Sequence, residues 1–144
     1  MDFSLSADQQ NIREAILKLC AQFPDEYWLE RDREGRFPEE FFRSVVEAGW
    51  LGIAMPTEFG GAGLGITEAA VMMQAIAESG AGMGGASSIH IPVFSLQPVV
   101  LFGSQQQKER ILPPVMRGED RVCFAVTEPN VGLNTTELKT RAAA

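Results

Sequence analysis

Apolar residues near the start of the chain recur at the spacing of one helical face. The positions i, i+4, i+7 and i+11 are occupied by Ile12, Ile16, Leu19 and Phe23. Just before them, Ser6-Ala7-Asp8-Gln9 has the spacing of a capping box, in which the hydroxyl and the amide each satisfy a free backbone N–H. Pro24 follows the last apolar position and ends the pattern. This segment is therefore predicted to be a capped amphipathic helix.

Two further helices are predicted in the middle of the chain. After a charged stretch at residues 25–36, Phe37-Pro38 opens a helix that Gly49 ends. Its apolar stripe consists of Phe41, Phe42, Val45 and Val46. Residues 50–65 are rich in glycine and are predicted to form a loop. The next helix begins at Ile66 and ends at Gly80, and it is apolar almost all round, which indicates a buried central helix.

The pattern changes twice toward the end of the chain. Residues 89–102 are apolar but contain Pro92 and Pro98, so a kinked or broken helix pair is predicted there. A second capping box at residues 104–107 opens a short helix that is predicted to stop at Pro113-Pro114. After a turn, Val122, Phe124 and Val126 alternate within residues 121–127, which predicts a β-strand. Because one unpaired strand is not a stable unit, we interpret the ending at residue 144 as a truncation.

Composition excludes several classes of function. The 144 residues carry a net charge of −7, which argues against binding to nucleic acid or to an anionic membrane. Two distant cysteines and one histidine exclude a disulfide framework and leave no metal site. The first residues lack the basic and apolar regions of a signal peptide, and no apolar run approaches the roughly 18 residues that a membrane span needs. We expect a cytoplasmic protein without a membrane span.

The candidate motifs differ in how much they explain. Residues 80–85 match the string G-x-G-x-x-G, but a helix precedes them, whereas a dinucleotide-binding site needs a strand there. We therefore interpret them as an interhelical turn, and His90, Cys20 and Cys123 as residues without chemistry. Residues 122–134 are more informative, since a strand ends in Thr127-Glu128-Pro129 and a loop containing Gly132 follows. Such an edge can present donors and acceptors to a flat heterocycle, although physics alone favours a plain strand-to-turn corner.

The order of several motifs resembles the acyl-CoA dehydrogenase family, whose FAD enzymes oxidise the α–β bond of a thioester. The resemblance rests on Phe3-Ser4-Leu5-Ser6, Gly49-Trp50-Leu51-Gly52-Ile53, Pro56-Thr57-Glu58-Phe59-Gly60-Gly61-Ala62-Gly63, Gly103-Ser104-Gln105-Gln106-Gln107-Lys108, Leu112-Pro113, Gly118-Glu119 and Phe124-Ala125-Val126-Thr127-Glu128-Pro129 with Gly132. It covers the whole chain, and the order of the motifs makes it specific.

The resemblance implies a fold and a division into domains. The fold would be all-α, an orthogonal helical bundle of about five to six helices, followed by the first strand of a truncated β-barrel domain. Residues 1–117 would form the family's N-terminal helical domain, and residues 118–144 would begin its middle β domain, which carries the flavin loop. The rest of that barrel and a C-terminal four-helix bundle would follow.

The resemblance also implies site residues. Phe124, Val126 and Thr127 would contact the isoalloxazine ring of FAD, while Gly132 and Leu133 would face the FAD phosphates and the thioester substrate. The small residues around Ser87 would leave room for the acyl tail. The family more often has Gly-Ser-Asp where this chain has Gly132-Leu133-Asn134, so only the backbone of Leu133 could replace the serine contact. The catalytic glutamate would lie beyond residue 144, and Glu128 reads as structural.

Three hypotheses about function follow. The first is a part of an acyl-CoA dehydrogenase that is inactive alone, with FAD, an acyl-CoA substrate, an electron-transfer flavoprotein as acceptor, and a homo-oligomeric state when complete. The second is a non-enzymatic helical interaction module, or a short form of the family. The third, a Rossmann nucleotide-binding protein, fails on the order of its elements.

Overall fold

The computed structural model describes residues 4–141, so Phe3 of the opening motif and residues 142–144 lie outside the described residues. Within this part, the all-α prediction is confirmed. The α-helices are α1 (Ala7–Cys20), α2 (Asp25–Glu34), α3 (Glu39–Glu47), α4 (Ile66–Ile76), α5 (Gly82–Ser95), α6 (Gln97–Phe102) and α7 (Gln105–Met116).

Helix α1 forms as its sequence pattern predicts. The Ser6 hydroxyl accepts the Gln9 backbone N–H at 3.2 Å, and the Gln9 side chain accepts the Ser6 backbone N–H at 3.0 Å. The apolar face is buried and packs mainly against α4. The Gln9 amide also donates to the Glu68 carboxylate at 2.9 Å, which ties the N-terminal turns of α1 and α4 together.

Helix α2 occupies the charged stretch for which the pattern predicted no element. Acidic residues in its first turn and arginines in its last turn complement the helix dipole, and Gly35 ends it in the left-handed conformation (φ 63°). Its buried anchor is Trp28, whose indole N–H donates to the Phe23 carbonyl at 3.1 Å. The Trp28 ring also packs edge-on against Phe41 of α3, with centroids 5.0 Å apart. A single buried residue on a polar helix gives no apolar periodicity, so the sequence pattern could not predict this helix.

The loop after α3 is held by its own backbone. The backbone N–H groups of Ala62, Gly63 and Leu64 donate to carbonyls of residues 52–55, at 2.8–3.0 Å. A Cβ atom on Gly61 would lie 2.2 Å from the carbonyl oxygen of Met55, which explains why glycine stands there. Two short 3-10 turns, Trp50–Gly52 and Thr57–Phe59, complete the segment. The glycines of this motif therefore serve close packing of the chain on itself.

Helices α5 and α6 form the broken apolar segment that was predicted at residues 89–102. Gly80 (φ 97°) breaks the helical path after α4, and α5 then begins at Gly82, seven residues before the apolar run that indicated it. Helix α5 includes Pro92 and ends at Ser95, and α6 starts at Gln97. By length and composition alone, Ile66–Phe102 could cross a membrane, unlike the sequence expectation. This is weak evidence, because buried core helices have the same composition, and α4 and α5 contain only 11 and 14 residues.

Helix α7 extends further than predicted. Its capping box is present, with the Ser104 hydroxyl accepting the Gln107 backbone N–H at 3.3 Å, but the helix continues through Pro113-Pro114 to Met116. Leu112 and Val115 are buried in a second core cluster, and their packing offsets the two N–H groups that the prolines lack. The carbonyls left without those donors belong to the exposed Glu109 and Arg110, where water can satisfy them.

The predicted strand at residues 121–127 does not form. Within the part of the chain that the structure describes, no backbone N–H or carbonyl of these seven residues makes a hydrogen bond. This segment is followed by an isolated bridge between Glu128 and Val131 and by a short 3-10 turn, Thr135–Glu137. The physical reason is that a strand needs a partner, and residues 4–141 supply none.

Candidate functional site

A cleft of about 580 Å³ separates helix α5 from the irregular segment at residues 121–124. Its lining consists of Phe37, Glu39, Ser87, Ser88, Ile91, Pro92, Arg121, Val122, Cys123 and Phe124. Ser87 and Phe124 were predicted as site residues from separate parts of the sequence, and the structure places both on this cleft. The outer part of α5 therefore forms one wall, and the segment after α7 forms the other.

Side chains fasten the second wall to the helices. The Arg121 guanidinium donates to the Glu39 carboxylate at 2.7 Å. Its central carbon lies 3.8 Å from the ring centroid of Phe42 and 4.6 Å from that of Phe37. The Phe124 ring meets Phe94 of α5 edge-on, with centroids 4.7 Å apart. The segment is thus attached at both ends by aromatic contacts, although its backbone makes no hydrogen bond to the described residues.

These fastening residues were missed by sequence reasoning. Glu39 and Arg121 are 82 positions apart, and neither belongs to a motif. Phe94 also carries the His90 ring, which is stacked on it at 4.7 Å with an angle of 6° between the planes. Phe37 stands at the start of one predicted helix and Phe94 lies inside the predicted helix pair at residues 89–102, and neither position identifies a partner.

The remaining predicted site residues lie outside the cleft. Val126 is half-buried, whereas Thr127 and Gly132 are exposed. A Cβ atom on Gly132 would meet nothing within 4 Å, and the Leu133 side chain is fully exposed. The structure therefore brings Ser87 and Phe124 together but does not bring Val126, Thr127, Gly132 or Leu133 to the same cavity.

The Glu128 carboxylate is engaged by the chain that follows it. Oε2 accepts the Lys139 backbone N–H at 3.0 Å, and Oε1 accepts the Thr140 backbone N–H at 2.7 Å. The Thr140 hydroxyl also donates to Oε1. These bonds, the hydroxyl first, lower the pKa of Glu128 below its ordinary value because they favour the charged form. This geometry agrees with the expectation that Glu128 is structural.

The donor set around residues 124–127 suits a flat heterocycle. The backbone donors and acceptors of this segment are unpaired within residues 4–141, and the Thr127 hydroxyl makes no hydrogen bond there. Phe124 is 46% exposed and offers a flat apolar surface. Polar edges beside an aromatic face are what a flavin ring requires, so the residues present fit that group.

Other candidate chemistry is limited in the described part of the chain. Residues 4–141 contain no group of three side chains that could hold a metal ion. The glycines of residues 80–85 serve the helix break and packing, since a Cβ on Gly85 would lie 3.1 Å from the Trp28 ring. Cys20 is buried, and burial raises the pKa of its thiol, whereas Cys123 is exposed on the cleft.

Comparison with known proteins connects these features to a family. Residues 6–119 match the family model described as "Acyl-CoA dehydrogenase, N-terminal domain". The chain belongs to the acyl-CoA dehydrogenase family. The match includes all seven α-helices of the described part and ends just before Arg121, so α5 lies inside the matched region and the second wall of the cleft lies outside it.

Individual relatives agree with this assignment. The chain is 37% identical to an acryloyl-CoA reductase (NADH) of Anaerotignum propionicum, covering 99% of this chain and 36% of the relative. It is 30% identical to an acyl-CoA dehydrogenase of Mycobacterium tuberculosis, covering 97% of this chain and 36% of the relative. A solved chain described under the electron transferring flavoprotein of Acidaminococcus fermentans superposes with a TM-score of 0.80 at 29% identity. The superposition covers 95% of this chain and 36% of the solved chain.

The chain thus spans about a third of the length of these relatives. Membership in the family implies a flavin cofactor. The helical architecture with its buried α4 is the part of the family that these residues supply.

Proposed function

We propose that this chain is the N-terminal part of an FAD-dependent enzyme that oxidises the α–β bond of an acyl-CoA thioester. The observation that carries the proposal is the cleft between α5 and residues 121–124, which both Ser87 and Phe124 line. An apolar wall of Ile91 and Pro92 with a few polar groups suits an acyl chain.

The flavin would be held by the segment that borders this cleft. Phe124 and Val126 would contact the ring, and Thr127 would add its free hydroxyl. Gly132 and Leu133 would face the FAD phosphates and the thioester. When bound, FAD supplies a hydride acceptor for the substrate's β carbon. The residues of this chain would orient the ring and the acyl tail and keep water from the apolar part of the cleft.

The catalytic base is proposed to lie beyond residue 144. Glu128 is unsuited to that role because hydrogen bonds from Lys139 and Thr140 occupy both of its oxygens. Its lowered pKa also makes it a weaker base. Residues 1–117 would form the helical domain, and residues 118–144 would begin a β domain. Later strands of that domain would pair with the unpaired segment at residues 121–127. These residues alone would therefore be inactive.

We further propose a cytoplasmic homo-oligomer that passes electrons to an electron-transfer flavoprotein. A second candidate is the reverse reaction, the reduction of an α,β-unsaturated thioester. It is favoured by the acryloyl-CoA reductase that is 37% identical to this chain. Both reactions require the same flavin and the same acyl cleft, so the direction depends on the electron donor or acceptor.

The test uses protein expressed from the complete coding sequence. We expect a flavin absorbance band that bleaches anaerobically when an acyl-CoA is added. If an enoyl-CoA oxidises the reduced flavin faster than acyl-CoA reduces it, the reductase is favoured. Protein that purifies without flavin and takes none up would overturn both enzyme proposals and favour a helical interaction module.

A substitution in the cleft links the activity to this structure. Ser87→Leu places a larger side chain against the acyl tail, so KM for acyl-CoA should rise while flavin content stays unchanged. The matched control is Ser44→Leu on α3, a serine that does not line the cleft. An unchanged KM in Ser87→Leu would remove the cleft from the proposal without affecting the flavin assignment.

A further inference from the structure

Glu128 closes a loop between two segments that are eleven to twelve residues apart. Its carboxylate receives the backbone N–H groups of two consecutive residues, Lys139 and Thr140, and the Thr140 hydroxyl. Its own backbone forms a pair of hydrogen bonds with Val131, at 3.0 and 3.1 Å. Glu128 therefore holds the start of the loop in two ways. Its backbone bonds to Val131 in the first turn, and its carboxylate bonds to Lys139 and Thr140 at the end of the loop.

The chain between these ends has few other supports. Val131 is buried, at 5% exposure, and anchors the first turn. The Thr136 hydroxyl donates to the Asn134 side chain at 2.5 Å beside the Thr135–Glu137 turn. Gly132 and Leu133 stand between these two supports and are exposed. Their position depends on how firmly the base of the loop is closed.

We propose that Glu128 is a positioning residue for the flavin. Its carboxylate closes the loop at residues 128–140 and so holds Gly132 and Leu133, and the adjacent Thr127, where FAD is to bind. This inference rests on the proposed function for the identity of the ligand. The loop closure itself rests on the hydrogen bonds of Glu128. Charge-assisted hydrogen bonds to a carboxylate are among the stronger ones, which suits this task.

An acid–base role for Glu128 fits the geometry less well. A general base needs a free oxygen within reach of the reacting atom, and Glu128 does not line the cleft. A purely local role in capping the turn at Val131 fits less well too, because that turn is held by backbone hydrogen bonds without the carboxylate. The carboxylate instead accepts the backbone N–H groups of residues 139–140, at the end of the loop.

The test compares three variants in protein expressed from the complete coding sequence. Glu128→Ala removes every acceptor, whereas Glu128→Gln keeps one oxygen in the Oε1 position that Thr140 contacts. The matched control is Glu137→Ala, an exposed glutamate of the same loop whose side chain makes no hydrogen bond to the described residues. The readouts are deuterium uptake of a peptide spanning residues 136–141, without added flavin, and the dissociation constant for FAD.

We expect Glu128→Ala to raise deuterium uptake and to weaken FAD binding roughly tenfold, the factor that corresponds to about one lost charge-assisted hydrogen bond. Glu128→Gln should recover part of both, and Glu137→Ala should match the unaltered protein. Unchanged uptake in Glu128→Ala would overturn the loop closure, and raised uptake with unchanged FAD affinity would overturn the positioning role. If the unaltered protein binds no FAD, the proposed function fails, and the positioning role fails with it, whatever the exchange shows.

Discussion

The guanidinium carbon of Arg121 lies 3.8 Å from the ring centroid of Phe42, and this contact fastens one wall of the cleft to helix α3. The same guanidinium pairs with Glu39 at 2.7 Å. Because residues 121–127 make no backbone hydrogen bond within residues 4–141, their course depends on side chains. The contact between a planar cation and a ring is thus part of how the cleft keeps its shape.

Replacing Arg121 should loosen this wall more than it lowers global stability. We expect Arg121→Ala to cost about 1 kcal/mol of unfolding free energy, since a partly exposed cation–ring contact and ion pair contribute little each. Chymotrypsin cleavage after Phe124, whose ring packs on Phe94, should become clearly faster, because a loosened segment enters a protease site more readily. Arg121→Lys should recover little, because an ammonium lacks the flat face. The control is Arg117→Ala, whose pair with Glu119 is local, and equal cleavage rates in both variants would contradict the prediction.

Two adjacent glycines in α5 should respond in opposite directions to alanine. A Cβ on Gly85 would lie 2.5 Å from that of Ala81 and 3.1 Å from the Trp28 ring, so Gly85→Ala should destabilise by about 1–3 kcal/mol. A Cβ on Gly84 would meet nothing within 4 Å, so Gly84→Ala should stabilise by about 0.5–1 kcal/mol through helix propensity. Urea denaturation measures both, and a similar shift in the two variants would show that α5 does not pack on Trp28 as described.

Stability should fall as the solution becomes acidic. Hydrogen bonds lower the pKa of Glu68, Glu119 and Glu128, from the side chains of Gln9, Arg117 and Thr140 first. A lowered folded pKa gives stability that is present above the ordinary value of 4.5 and is lost as pH falls through the folded pKa. Urea midpoints measured at neutral pH and below 4.5 should show this loss.

A variant separates this effect from general charge. Protonation also reduces the net charge of −7, which acts in the opposite direction. Glu68→Gln cannot titrate at this position, so its midpoint should depend less on pH than that of the unaltered protein. A steeper dependence in Glu68→Gln would contradict the assignment of Glu68.

The two cysteines should differ in reactivity with a thiol reagent. Cys123 is exposed, whereas Cys20 is buried in α1 and its pKa is raised by burial. One thiol should therefore react rapidly in the folded protein and the second only on unfolding. Cys123→Ser should abolish the fast reaction, and a fast reaction that persists in Cys123→Ser would show that Cys20 is accessible.

Much of the helical fold could be predicted because apolar positions, which form the core, recur among polar ones at helical spacing along the chain. The faces of α1 and α3, both capping boxes and the break after α4 are local features. Helix α2 could not be predicted from apolar spacing, since it buries Trp28 alone. The end of α7 was predicted too early because proline disfavours a helix locally, while the burial of Val115 is a tertiary effect.

The candidate site was predictable only where a motif carried it. Phe124 and Ser87 were both identified by family resemblance, Ser87 because the small residues beside it would leave room for the acyl tail. Their positions on one cleft depend on Arg121, Glu39 and Phe94, which no local pattern connects. The strand at residues 121–127 was predicted from alternation, but strand formation depends on a partner segment and not on the alternation alone.

The two walls of the cleft respond differently to mutation. The α5 wall shares a helix with core residues such as Ile89, so a change there alters both the cleft and the stability of the protein. The other wall is fastened by its own Arg121 and Phe124 through surface contacts. Substitutions at those fasteners can therefore widen or narrow the cleft at little cost in folding. Ligand preference in such a protein can evolve through residues that anchor the wall, while the helical core stays unchanged.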